Sequence, residues 1–245
     1  MALRRRVLSC VLVVLTFLGF GLLGLDSYFC SDVKTVAHRG FGVVGKNKLS
    51  AFENSARFDA IECDIWFTTD AEAVVSHYDE VVTTSGEKLK ISENSLEILK
   101  QKAKDLVTVE DFLKVCNKNN VMAVIDIKSW SLSPLMVESL RADITELFDV
   151  SRTILLSYEK EVARTIKSIG AEVHFVFDSE PKENVEFCKD NQVNACAKHI
   201  IIDKEMVKVV HDAGLKINAW TVNDTFSRIR LGSLGVDYIT SDILW

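Results

Sequence analysis

VMAVIDIKSWSLSPLMVESLRADITELFDVSRTILLSY, residues 121–158, reads as one strand–helix–strand unit. Val121 to Ile127 is a short apolar run rich in β-branched residues, Leu135 to Phe148 has helical spacing, and Arg152 to Tyr158 is apolar again. Two buried strands joined by a helical crossover predict parallel pairing. The same unit recurs in both directions. Further apolar runs stand at Thr35 to His38, Ala60 to Ile65, Glu172 to Phe177, Asn194 to His199, Lys216 to Val222 and Asp237 to Asp242, which makes eight. Helical patterns fill the gaps at Val109 to Cys116, Glu159 to Ile169, Lys182 to Asp190, Lys204 to Ala213 and Thr225 to Leu234, with Gly170 and Gly214 where helices should stop. A ninth run, Ala73 to His77, follows the second too closely for a crossover helix and is expected to be a hairpin arm. Eight βα repeats in about 210 residues predict an α/β fold of the TIM-barrel type, (β/α)8, in a single domain. A doubly wound open sheet is the alternative, but its glycine-rich phosphate turn is missing.

The flanks and the composition narrow the class. Val7 to Leu25 is a run of 19 uncharged, mostly apolar residues between Arg4-Arg5-Arg6 and Asp26, long enough to span a bilayer as a helix. Residues 1–26 are therefore expected to be a membrane anchor with the barrel, residues 34–245, on the periplasmic, extracellular or lumenal side. A cleaved signal peptide, giving a secreted domain, is the rival. The net charge is −6, and without Arg4, Arg5, Arg6 and Asp26 it is 26 − 34 = −8, which argues against a nucleic-acid partner. The six cysteines form no CxxC pair and no metal-ligand spacing with histidine; Cys63 and Cys196 read as small core residues.

In such a barrel the chemistry sits at the carboxyl ends of the strands. His38 and Arg39 end the first, Glu62 and Asp64 lie two apart on the second, His77 ends the hairpin arm, and Asp126 and Lys128 lie two apart on the third. Period-two spacing aims Glu62 and Asp64 to one face and Cys63 and Ile65 to the other. Three carboxylates converging in a barrel are costly unless a cation neutralises them, so Glu62, Asp64 and Asp126 form a candidate site for one divalent cation, Mg2+ or Ca2+ rather than zinc. Two histidines beside it suit acid–base catalysis, and Arg39 and Lys128 suit phosphoryl oxygens.

The segments AHRG (37–40), NKLSAF (47–52), FDAIECDIWFTTD (58–70), VVSH (74–77), IDIK (125–128), INAWTVND (217–224) and GVDYITSD (235–242) together resemble the glycerophosphodiester phosphodiesterases. That resemblance implies hydrolysis of glycerophosphodiesters to sn-glycerol 3-phosphate and an alcohol, with Ca2+ or Mg2+. It carries His38 and His77 to the acid–base pair, Glu62 and Asp64 to metal ligands, Arg39 and Lys128 to phosphate contacts and Trp220 to an aromatic bordering the substrate; barrel core is the plainer reading of Trp220. Three positions depart from the family pattern. Asp126 stands where Glu is usual, Lys46 where the motif has Glu, and Tyr78 where Asp follows the second histidine, with Asp79 a neighbouring substitute. The short segment after His77 leaves little room for the family's inserted subdomain, so a more open pocket is expected. Lysophospholipid cleavage of the phospholipase D type, a catalytically inactive binding protein and a sugar-phosphate lyase on the same barrel are the alternatives.

Overall fold

The computed structural model describes residues 21, 24–42 and 45–245. Most of the predicted anchor lies outside the described residues, and among those described no helix is long and apolar enough to cross a membrane. Eight parallel strands form a closed ring: β1 (Lys34–Ala37), β2 (Ala60–Phe67), then, after three short strands of an insertion, β6 (Met122–Ile127), β7 (Thr153–Ser157), β8 (Glu172–Phe177), β9 (Asn194–Lys198), β10 (Ile217–Trp220) and β11 (Tyr238–Ser241). Closure is made by β1, which pairs in parallel with β11 on one side and β2 on the other. The result is the predicted (β/α)8 barrel, with strand boundaries within one residue of the sequence expectation apart from the ends of the second and seventh runs, which differ by two.

Helices surround the ring: α1 (Leu49–Glu53), α2 (Leu96–Lys102), α3 (Val109–Asn119), α4 (Pro134–Leu147), α5 (Lys160–Ile166), α6 (Pro181–Asn191), α7 (Lys204–Asp212) and α8 (Thr225–Leu234). Their starts are written in the sequence. Thr108 and Asp111 form a reciprocal capping box on α3, while Ser133, Asp203 and Asp224 each accept a backbone N–H at the heads of α4, α7 and α8. Each such cap is worth about 1 kcal/mol.

Two apolar layers result. Cys63, Ile65, Phe112, Leu140 and their neighbours fill the space between strands and helices, while Val36, Ala60, Val124, Ile154, Leu156, Val176, Cys196 and Tyr238 fill the barrel interior. Both cysteines singled out in the sequence are thus core residues, one in each layer. Cys30, Cys63, Cys116, Cys188 and Cys196 are all buried free thiols. At the amino end of the barrel, fully buried His174 is tied through Nε2 to Glu172 at 2.7 Å, and Lys216 Nζ reaches the same carboxylate at 2.6 Å.

The insertion is more structured than its length suggests. β3 (Ala73–Val75) returns antiparallel along β2, β4 (Val81–Val82) and β5 (Lys88–Leu89) form a small hairpin, and α2 follows. Val74, Ile91 and Leu99 give it a core of its own, backed by Trp66 and Leu106. Asp79 does not stand in for an acid beside His77: its carboxylate accepts the Ser92 backbone N–H at 2.8 Å and so pins the insertion.

Candidate active site

Pairing parity brings the acidic residues together. Asp64 lies directly opposite Asp126 in the β2–β6 ladder and Glu62 lies opposite Val124, one layer deeper, so all three side chains face the barrel interior near its carboxyl end. One oxygen from each lies within 4.8 Å of the others, and all three residues are buried. Together with His38, Arg39 and His77 they line a cavity of about 290 Å³. The antiparallel arm β3 delivers His77 to the same mouth, where its Nδ1 is 3.2 Å from Asp64 Oδ2.

Two cationic side chains and a backbone amide meet these carboxylates. Lys128 Nζ bridges Asp126 Oδ2 at 2.5 Å and Asp64 Oδ1 at 3.0 Å. Arg39 Nε lies 3.0 Å from Asp64 Oδ2, and the Arg39 backbone N–H donates to Glu62 Oε2 at 2.7 Å. Arg39 adopts a left-handed φ of 58°, followed by Gly40 at 76°, and this turn aims the amide at Glu62. The two carboxylates that remain in excess feel it. Burial pushes Glu62 well above the usual carboxylate range, with Asp64 and Asp126 adding to the shift. Asp126 is raised too, by burial first and in spite of Lys128. For Asp64 burial is outweighed by His77, Lys128, Arg39 and Asn47, which hold it far below its ordinary value.

These residues suit a hard divalent cation on two counts. All donors are carboxylate oxygens, and Asp126 Oδ1 is buried without any hydrogen-bond partner. An orphaned buried carboxylate oxygen costs several kcal/mol unless something neutralises it, and roughly this arrangement is what an oxygen-ligated metal requires.

Sequence reasoning missed several members of the site. Asn47 is buried and donates through Nδ2 to Asp64 Oδ2 at 2.7 Å. Asp242, on the chain just past β11, meets His38 Nδ1 at 2.8 Å and is also held by Lys46 Nζ at 2.6 Å and Asn223 Nδ2 at 2.8 Å. These three partners keep its carboxyl well below the usual range against the opposing effect of burial. The segments NKLSAF and GVDYITSD contain both residues, but nothing local pairs them with His38 or Asp64. Trp220 is half-buried; it borders the cavity, donates to the Cys196 carbonyl at 3.2 Å and packs edge-on to Tyr158, so it serves as pocket wall and as upper core. Tyr78 stacks edge-on against His77 with centroids 4.7 Å apart.

The glycerophosphoryl diester phosphodiesterase family matches residues 38–244. A Bacillus subtilis (strain 168) protein provisionally named as the glycerophosphodiester phosphodiesterase YhdW is 25% identical over 230 residues, covering 84% of this chain and 93% of its own. Among solved structures, an Oleispira antarctica phosphodiesterase in complex with its product sn-glycerol-3-phosphate superposes with a TM-score of 0.75 at 18% identity, over 85% of this chain and 92% of that one. A Thermotoga maritima glycerophosphodiester phosphodiesterase gives 0.71 at 18% identity, over 86% and 94%. The two solved structures show likeness of fold.

Proposed function

The chain belongs to the glycerophosphoryl diester phosphodiesterase family, whose members are phosphoric diester hydrolases, and from that premise we propose how its own residues divide the reaction. The substrate is a glycerophosphodiester, and the products are sn-glycerol 3-phosphate and an alcohol. The bond formed is from water oxygen to phosphorus, and the bond broken is from phosphorus to the alcohol oxygen. One histidine takes the proton of the attacking water and the other supplies a proton to the departing alkoxide. His38, with its Nδ1 proton directed to Asp242, presents Nε2 as the acceptor; His77 stands across the cavity beside Arg39 as the donor. Arg39 and Lys128 offset charge on the phosphoryl oxygens, and Trp220 walls the substrate.

Glu62, Asp64 and Asp126 would hold one divalent cation, Ca2+ or Mg2+, which when bound supplies Lewis-acid polarisation of the phosphoryl group. The observation that carries this reading is the convergence of both histidines, both cations and the three carboxylates on one cavity at the carboxyl end of the barrel. Residues 34–245 constitute the catalytic domain, and Val7 to Leu25 attaches it to a membrane with the domain on the non-cytoplasmic side.

The test is release of sn-glycerol 3-phosphate from a panel of glycerophosphodiesters by the full chain, with Ca2+, Mg2+ or EDTA. Metal-dependent release that disappears in His38→Ala and in His77→Ala supports the assignment. A folded chain that releases nothing from any member of the panel overturns it in favour of a binding protein on the same barrel.

A further inference from the structure

Among the described residues, six of the seven apolar side chains that are more than half exposed are gathered at one end of the barrel; the seventh, Tyr28, stands on the amino-terminal helical segment beside α8. Trp130 is 75% exposed, Phe226 72% and Tyr78 67%, and Ile200, Val82 and Leu135 are each more than half exposed. Tyr78 and Val82 follow β3, Trp130 and Leu135 follow β6, Ile200 follows β9 and Phe226 follows β10. Val82 lies in the small hairpin of the insertion and the other five in loops or first helical turns, so all six stand on the mouth side, around the cavity that holds His38 and His77. Among the described residues the loops at the opposite end, 54–59, 148–152, 167–171 and 213–216, carry no exposed large apolar side chain. A single exposed apolar residue is ordinary; several on the rim of one opening mark a docking surface.

The course of the amino-terminal segment says what covers that surface. Residues 24–29 are helical and lie along α8. Arg228 Nε donates to Asp26 Oδ1 at 2.7 Å, and a Cβ on Gly232 would come within 2.5 Å of Cys30 Sγ. Asp26 thus sits beside the first turn of α8 and Cys30 one turn further down. Because α8 begins at the mouth, where β10 ends, the chain followed backward from Cys30 climbs toward the mouth. The apolar run Val7 to Leu25 precedes Asp26 directly in sequence.

We propose that the mouth of the barrel rests on a lipid bilayer, the one entered by the chain's own apolar segment, with Trp130, Phe226 and Tyr78 in its interfacial layer. This rests on the membrane attachment proposed above. Trp and Tyr favour headgroup depth, where the ring is apolar on one side and wet on the other. The cations near the mouth are largely engaged, Lys46 by Asp242 and Lys88 by Glu80, each at 2.6 Å, so docking is apolar rather than electrostatic and does not need anionic lipid. Its consequence is a route for substrate: a lysophospholipid keeps its acyl chain in the bilayer while its phosphodiester enters the cavity.

The experiment uses the full chain reconstituted in phosphatidylcholine vesicles with brominated acyl chains. Bromines placed near the headgroups are expected to quench tryptophan fluorescence more than deep ones, and Trp130→Phe to remove most of the quenched intensity. A quenched fraction unchanged in Trp130→Phe overturns the proposal. So does concentration-dependent shielding of Trp130 from iodide in detergent, which would assign the rim to a second copy of the chain. Quenching requires no turnover, so its outcome is independent of the proposed reaction. In activity, the double variant Trp130→Asp, Phe226→Asp is expected to hydrolyse soluble glycerophosphodiesters as wild type does and vesicle-borne lysophospholipid about tenfold more slowly; equal rates on vesicles count against docking.

Discussion

Asp242 holds His38 from 204 residues away in sequence, with Oδ1 2.8 Å from the imidazole Nδ1. The contact exists because β1 and β11 are neighbours at the seam of the barrel, Ala37 opposite Ser241, so the residues that leave both strands meet at the mouth. A carboxylate on Nδ1 fixes the ring orientation and the tautomer, leaving Nε2 to face the cavity. Asp242→Asn preserves shape but can present its amide nitrogen to Nδ1. We expect kcat to fall by about 10- to 100-fold with KM little changed, measured by steady-state release of sn-glycerol 3-phosphate. A matching rise in KM would instead place Asp242 in substrate binding.

Lys46 shares that same oxygen of Asp242, at 2.6 Å, so the position where the family motif has an acid here carries a counter-charge to that carboxylate. Reverting it is expected to harm. Lys46→Glu puts two carboxylates against each other beside His38, and activity should fall by about tenfold or more while Lys46→Met loses less. If Lys46→Glu matches or exceeds wild type, the lysine is a bystander to His38.

The three buried carboxylates predict metal dependence with an oxygen-ligand signature. Dialysis against EDTA should abolish turnover and Ca2+ or Mg2+ restore it. Asp126→Asn, which removes the charge behind the orphaned Oδ1, is expected to raise the metal concentration for half-maximal activity by about tenfold. Full activity in EDTA would assign the cluster to the ammonium of Lys128 alone.

The barrel was legible because its signal is local. Each strand is a short apolar run, and four of the seven crossover helices announce their start with Thr108, Ser133, Asp203 or Asp224. The facing of Glu62 and Asp64 followed from period-two spacing, and the return of His77 followed from a run too close to β2 for a helix. What escaped was everything set by ring closure. The pairing of His38 with Asp242 and of Asn47 with Asp64 depends on which strands adjoin and on a loop turned by residues in left-handed conformation, Arg39 and Asn47 among them. The insertion was underestimated for a related reason: its core is three buried side chains, Val74, Ile91 and Leu99, spread over 26 residues with no periodicity to reveal them.

Gly40 is the point where that loop has no slack. Its φ is 76°, and a Cβ there would meet the Ala51 carbonyl carbon at 2.7 Å and the Phe52 ring at 2.9 Å. Both contacts belong to α1, which is buried against the barrel. Gly40→Ala is expected to destabilise by about 2 to 4 kcal/mol, from the positive φ and the overpacking together. Urea denaturation checks this. Because the turn also aims the Arg39 amide at Glu62, turnover should fall even where the variant remains folded.

Outside the cavity, Asp143 on α4 gives a pH dependence whose sign is fixed. Burial raises its carboxyl to about 6, with Glu72, Glu110 and Glu146 adding to the effect. The folded chain therefore keeps this proton up to about pH 6, whereas the unfolded chain releases it near the ordinary aspartate value of 3.8. Between those values the native state binds more protons, so the contribution of Asp143 to stability declines as pH rises and stays unfavourable above the window. Asp143→Asn removes the penalty without adding bulk. It should stabilise the protein by about 1 to 2 kcal/mol at pH 7, discounted for partial exposure, and by nearly nothing at pH 3.5. Urea midpoints of both proteins at the two pH values decide the matter: a gain of equal size at both would show that the variant acts through something other than the charge on Asp143.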